Sequence, residues 1–372
     1  MPSNVNRLLI AWASSLIFVV GGVLLLEATY SPENSSPAAT EDMTETTASD
    51  QSTADEATTD GEQAQQASDT RETATTGLPA PGQPEQTVVA QSAPPSPISA
   101  IPQAIPGIAL PELMEQSNHG PLPRIADDGR TSFNVYAAPR MTSRTLARIS
   151  ILVTDLGKKA RNTQRAISET PPNVSLAFSV YGSNLHEWGQ KARTAGHEVF
   201  LAVPMEPVNY PQNDPGPLTL LTSQSTRVKI SLLQSSLGKF SGYVGVVNYM
   251  GSRFTAAGDS IRPVLDELKR RGLMFVDNRD SKYSLAASMA QGTNMPWAVN
   301  NGYIDDDLDT VSISNQLNEL EKRAKAQGTA LGIARSYPVT LQAINVWAAT
   351  LEERGFALVP VSSIANQQAI PR

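Results

Sequence analysis

At 372 residues the chain has room for one or two domains. Its net charge of −7 is unevenly spread: residues 1–148 hold 17 acidic and 7 basic side chains, and residues 149–372 hold 19 and 22. The lack of any cysteine excludes a disulfide framework, a thiolate metal site and a cysteine nucleophile. The near-neutral second part has no basic stripe and excludes nucleic-acid binding driven by charge.

In chain order, the first element is an uncharged run from Leu8 to Leu26. A bilayer crossing needs about 20 apolar residues, and a cleavable leader has an apolar region of only about 7–15. With Leu26-Glu27-Ala28-Thr29 a poor cleavage site, residues 1–26 read as a retained single-pass anchor. Arg7 before it and Glu27 after it place the rest of the chain outside the cytoplasm. Residues 27–120 read as a tether. Between Glu27 and Glu72 there are 12 acidic residues against Arg71 alone, with too little apolar surface to offset ordering entropy. Residues 78–123 then become proline-rich and stiffer.

From Pro121 the pattern is that of a folded domain, 121–372. Short apolar runs predict strands at 149–153, 174–180, 197–203, 243–248, 273–276, 296–304, 330–334 and 357–361. Amphipathic stretches between them predict helices at 157–169, 183–195, 224–237, 259–271, 282–291, 311–327 and 340–354. Gly196, Gly272, Gly328 and Gly355 each follow a helix as C-terminal caps. Alternating strand and helix implies an α/β fold with a parallel sheet, and the number of units suits a (β/α) barrel with its reactive groups at the strands' C-terminal ends.

Several residues are candidates for chemistry. Asp155 follows the first strand, where it is either a functional carboxylate or the cap of the helix opening at Lys158. His197, one of three histidines, opens a strand beside Glu198 and is a candidate metal ligand or proton carrier; the alternative is a satisfied histidine in a helix–strand turn. In Asn248-Tyr249-Met250-Gly251-Ser252-Arg253, Tyr249 offers a hydrogen bond and Arg253 a partner for an anionic group. Asp305-Asp306-Asp307-Leu308-Asp309 starts like a calcium loop, but Thr310 and Gln316 stand where that loop needs Gly and Glu, so it reads as a charged helix start.

Taken together, Val153-Thr154-Asp155-Leu156-Gly157, Gly196-His197-Glu198-Val199 through Pro204-Met205-Glu206-Pro207, and Asn248 through Thr255 form an ordered set. With Val276-Asp277, Tyr337-Pro338 and Leu358-Val359-Pro360-Val361-Ser362, they resemble the divergent polysaccharide deacetylase family over about residues 147–365. This family is a bacterial envelope branch of the carbohydrate esterases. The resemblance implies a distorted (β/α) barrel with a metal site at the strand ends, where metal-bound water attacks an N-acetyl group. It implies Asp155 and His197 as ligands of a divalent metal such as zinc, with Asp305 or Asp306 as a third carboxylate. Glu206, Asn248, Tyr249, Arg253, Asp305, Asp306 and Arg335 become the substrate-binding set. The implied setting is the inner membrane, with the domain in the periplasm and an envelope glycan or envelope protein as partner.

The chain departs from the family pattern. Thr154 stands in the first place of the aspartate pair, Ala202 in that of a later histidine, Tyr249 in that of a histidine in the Asn-His-Met-Gly segment, and Arg335 in that of the late acid histidine. A threonine hydroxyl is no base near neutral pH, and an arginine does not give up its proton. Three readings follow: metal-assisted deacetylation, an inactive descendant that binds a glycan or partner in the old cleft (with Arg253 and Arg335 on an anionic group), and a spacer that caps the tether.

Overall fold

The computed structural model describes residues 105–139 and 146–370. The expected anchor, 1–26, and most of the expected tether lie outside these residues. Among the described residues no helix is long and apolar enough to cross a membrane.

A hairpin comes first, β1 (Met114–Ser117) against β2 (Gly120–Pro123), followed by a short helix α1 (Ser132–Tyr136). Strands and helices then alternate: β3 (Ala147–Leu156), α2 (Ala160–Glu169), β4 (Ser175–Ser179), α3 (Leu185–Thr194), β5 (Val199–Met205), α4 (Thr226–Leu237), β6 (Gly245–Met250) and α5 (Gly258–Arg270). The chain continues through β7 (Met274–Asp277), α6 (Ala286–Gly292), β8 (Trp297–Val299), β9 (Gly302–Tyr303), α7 (Thr310–Gln327), β10 (Thr329–Arg335), α8 (Pro338–Ala349) and β11 (Phe356–Leu358). The sheet order is β8-β7-β6-β5-β4-β3-β10-β9, all parallel, with β11 on the N-terminal half of β3.

Its two ends are one stretch of chain. Residues 297–299 pair with β7, and two residues later 302–303 pair with β10. Asn300 N–H donates to Asp277 O at 2.8 Å, and Asn301 N–H to Leu331 O at 2.8 Å. The sheet therefore curls back on itself, consistent with a distorted (β/α) barrel. The strand expected over 296–304 is thus split in two, because each half serves a different neighbour.

Strand periodicity sorts the apolar residues into two cores. Ile149, Ile151 and Val153 of β3, Leu176 and Phe178 of β4, and Val199, Leu201 and Val203 of β5 face outward under the helices. Leu152, Ala177, Phe200, Leu331 and Ile333 face inward. The helices meet the outer core with stripes such as Ile313, Leu317, Leu320 and Ala324 of α7, which opens on the Asp309 cap.

The segment 105–139 closes the barrel's N-terminal end. Ile105, Ala109, Leu113 and Tyr136 are buried, so the fold begins ahead of Pro121 and includes residues assigned from sequence to the tether. Arg193, only 2 % exposed, donates to the carbonyls of Pro106, Gly107, Ser241 and Gly242 at 3.0–3.2 Å. Arg271 holds the hairpin through Glu115 and Pro123 O, both at 2.8 Å.

Candidate functional site

The inward parity that builds the barrel core also builds its mouth. One step beyond inward Leu152 comes Thr154; beyond Ala177, Ser179; beyond Phe200, Ala202; beyond Ile333, Arg335. At the C-terminal ends of the strands these residues line a cleft of about 430 Å³, within the range of ordinary ligand sites. Tyr181, Tyr249, Tyr303 and Tyr337 also line it, with Asp155, Asp280 and Asp306 between them.

Asp155 reaches the cleft through a distortion. The β3–β4 register shifts between Val153 and Leu156, one extra residue on β3, and Asp155 sits at φ 63°. This left-handed conformation costs a non-glycine residue about 1 kcal/mol and turns a side chain that would otherwise face outward. Met250 (φ 55°) and Arg279 (φ 57°) at neighbouring strand ends share the conformation. Asp155 does not cap the following helix: α2 starts at Ala160, and its N-cap is Lys159. Instead its Oδ1 accepts a hydrogen bond from Lys158 Nζ at 2.8 Å, and that ammonium lies 4.8 Å from the ring centre of Tyr249. Burial works against the Lys158 charge, but the bond and the attraction to Asp155 prevail and raise its pKa.

The adjoining wall, on the strand next to β3, is built on Arg335. Its guanidinium donates to Asp305 O at 3.1 Å, lies 3.6 Å from the Asp306 carboxylate and sits 6.0 Å from the ring centre of Tyr303. The Tyr303 hydroxyl donates to Asp280 Oδ1 at 2.6 Å; burial first, then the Asp280 charge, raises its pKa. Thr154, the register partner of Arg335, donates its hydroxyl to Ala334 O at 3.1 Å.

Of the nine site residues expected from sequence, the mouth gathers Asp155, Asn248, Tyr249, Asp306 and Arg335. The other four need correction. His197 lies before β5, at the opposite end of the barrel, and a strand of seven residues puts roughly 20 Å between those ends. Its Nδ1 is 2.8 Å from Val174 O and its Nε2 3.1 Å from Ile167 O, so both nitrogens face backbone carbonyls. Burial lowers its pKa. It is the buried turn histidine, not a ligand beside Asp155: the neutral ring donates to one of the two carbonyls, and both nitrogens are turned to backbone. Glu206 is buried outside the cleft, where Oε2 accepts from the Thr222 N–H and hydroxyl at 2.5 and 2.7 Å and Oε1 lies 3.4 Å from Arg253. Arg253, more than half exposed, stands beside Glu206 and outside the residues that line the cleft. Asp305 is fully buried behind the wall, with Oδ2 accepting from Arg335 N–H and the Thr340 hydroxyl.

Asn248 lines the mouth but is spent internally. Its amide donates to Met250 O and Asn278 Oδ1 and accepts from Asn278 N–H, tying β6 to the loop after β7. Sequence reasoning passed over Lys158, Tyr181, Asp280 and Tyr303. Lys158 was read only as a helix start, although a cation three residues after a strand-end aspartate was a usable signal. Tyr303 was hidden in the strand expected over 296–304, which divides in two in the structure.

The metal reading fails on the donor set. Of the described carboxylates in the mouth, Asp155 already holds an ammonium, Asp280 a phenol and Asp306 a guanidinium, and no imidazole lines the cleft. Among the described residues no three His, Asp or Glu side chains are grouped to hold a metal. A catalytic zinc normally has three protein ligands. These residues do not fit one.

Fold and site define a parallel α/β protein with a tyrosine-lined cleft at the C-terminal ends of its strands. Residues 151–365 match the profile of the divergent polysaccharide deacetylases, and the chain belongs to that family. It is 25 % identical over 223 residues to the uncharacterized protein YibQ of Escherichia coli K12, covering 60 % of this chain and 69 % of YibQ. An uncharacterized protein of Haemophilus influenzae is 22 % identical over 244 residues, covering 64 % and 85 %. The crystal structure of the uncharacterized protein ATU2773 from Agrobacterium tumefaciens C58 aligns with a TM-score of 0.64 at 36 % identity, covering 66 % of this chain and 99 % of that one.

Proposed function

We propose that this chain is a membrane-anchored envelope protein whose barrel mouth binds an envelope glycan without hydrolysing its N-acetyl groups. The observation that carries the reading is the composition of the mouth: four tyrosines interleaved with Asp155 and Asp306, each beside a cation of the protein, and Asp280, which accepts from a phenol. A sugar ring offers apolar C–H faces, which suit aromatic rings, and hydroxyl edges, which suit carboxylates and amides. Because Asp155 and Asp306 each face a cation of the protein itself, the cleft suits a neutral glycan better than an anionic one. Thr154 commits its hydroxyl to a backbone carbonyl, and neither it nor Arg335 can supply the base or acid of a hydrolase. The uncharged run 8–26 supports anchoring in the inner membrane, with the barrel on the periplasmic side.

The test is co-sedimentation of the purified full chain with peptidoglycan sacculi, and calorimetry with chitotetraose. Wild type should bind, and Tyr303→Ala with Arg335→Ala should weaken binding at least about tenfold. Release of acetate from either probe on addition of zinc would overturn the binding-only reading.

A further inference from the structure

We propose that Lys158 stands in for the metal, and that the Asp155–Lys158 pair is a metal-free clamp for two adjacent oxygens of a sugar. The proposal rests on the glycan reading of the cleft and names the atoms that carry it. An ammonium has three N–H donors. In Lys158 one points to Asp155 Oδ1 at 2.8 Å, and the charge lies against the face of Tyr249 at 4.8 Å. Among the described residues no other acceptor takes a hydrogen bond from it, and none donates to Asp155 Oδ2. Both side chains are about one-third exposed, at 37 % and 30 %; Asp155 lines the mouth, and Lys158 stands at its edge against two lining residues, Asp155 and Tyr249.

The pair thus offers one acceptor and one cationic donor side by side. Neighbouring hydroxyls of a pyranose present the complement: one donates to Asp155 Oδ2, and the next accepts from Lys158 Nζ. The same arrangement repels a divalent cation, because the position beside Asp155 Oδ1 already carries a positive charge. Asp155 holds its orientation at the cost of a left-handed backbone, and Tyr249 keeps the ammonium from swinging into solvent.

Calorimetry on the full chain with chitotetraose, and co-sedimentation with sacculi, test the clamp in excess EDTA and in excess zinc chloride. Binding should be the same in both, and elemental analysis should find no stoichiometric transition metal. Lys158→Met should weaken binding about tenfold or more, the scale of a lost hydrogen bond to a charged group. Lys158→Arg should recover most of that loss, and circular dichroism checks that both variants fold. Wild-type binding that collapses in EDTA and returns with zinc overturns the clamp and leaves the glycan reading intact. So does binding that is insensitive to Lys158→Met yet lost in Tyr303→Ala. Absence of binding to both probes in wild type overturns both ideas.

Discussion

Replacing Asn248 separates a residue that binds ligand from one that holds the mouth together. Its Nδ2 donates to Met250 O at 2.6 Å and to Asn278 Oδ1 at 2.5 Å, and its Oδ1 accepts from Asn278 N–H at 2.9 Å. The residue is 2 % exposed, so in the wild type these partners take the place of water. At about 1 kcal/mol net for each hydrogen bond, Asn248→Ala should cost about 3 kcal/mol. Asn248→Asp keeps the acceptor but sets a carboxylate oxygen against two oxygens in a dry site, and should cost about 4 kcal/mol at neutral pH.

The two variants should then diverge with pH. A carboxyl facing two acceptors is stabilised when protonated, so its folded-state pKa stands above the unfolded value of about 3.9. Its stabilising contribution is full below that unfolded value and is lost as pH rises through the folded one. Relative to wild type, Asn248→Asp should recover about 1–2 kcal/mol between about pH 7 and about pH 4, and Asn248→Ala should not. Urea denaturation of the full chain at both pH values reads this difference. An Asn248→Asp protein as stable as wild type at neutral pH would refute the donor assignment and return Asn248 to the ligand-binding set.

Two further expectations concern the opposite end of the barrel. Arg193→Met strips donors from four backbone carbonyls and relieves a burial penalty visible in a guanidinium pKa lowered to about 10; the net cost should be about 3 kcal/mol, read as a lower urea midpoint with unchanged glycan binding. An unchanged midpoint would refute the clamp on residues 106–107. For His197, burial lowers the folded pKa, so the unfolded chain takes up the proton first as pH falls below about 6.5, and stability falls with it. His197→Gln should flatten the decline in melting temperature between about pH 7.5 and about pH 5.5; an identical slope would assign that titration to another group.

The order of strands and helices was legible because apolar runs and amphipathic stretches alternate with little ambiguity. The N-terminal hairpin was not: the boundary drawn at Pro121 falls inside it and leaves β1 in the proline-rich tether, although proline is tolerated in a two-stranded edge such as β1–β2. His197 was placed at the reactive end by the family resemblance, although a residue that opens a strand stands at the opposite end from the strands' C-terminal mouth. The strand opens at Val199, and its other end, at Met205, reaches the mouth. Glu206 and Arg253 look available one at a time. Their pairing joins the ends of two strands far apart in sequence, and no local pattern announces it. Asp155, Tyr249 and Arg335 could be placed at the mouth because each closely follows a predicted strand.

Charge occurs at both ends of this barrel, and the difference lies in what is left over. At the N-terminal end, Arg193 meets four carbonyls, and Glu198 accepts from Ala138 N–H, Ser175, and the N–H and hydroxyl of Ser362. Those groups have little capacity left for a ligand. At the mouth, Asp155 and Lys158 are half-paired and within reach of solvent. The backbone differs in which residues take the left-handed conformation: Asp155, Met250 and Arg279 at or just past strand ends of the mouth, against Asn294 and Asn366, of the type that tolerates it best, at the other end. Each at the mouth costs about 1 kcal/mol, and a glycine would relieve it. A barrel acting only as a spacer has no physical need for that strain. A barrel that must aim Asp155 into a cleft does, because only the bulge and the left-handed turn bring that carboxylate beside Lys158 and Tyr249.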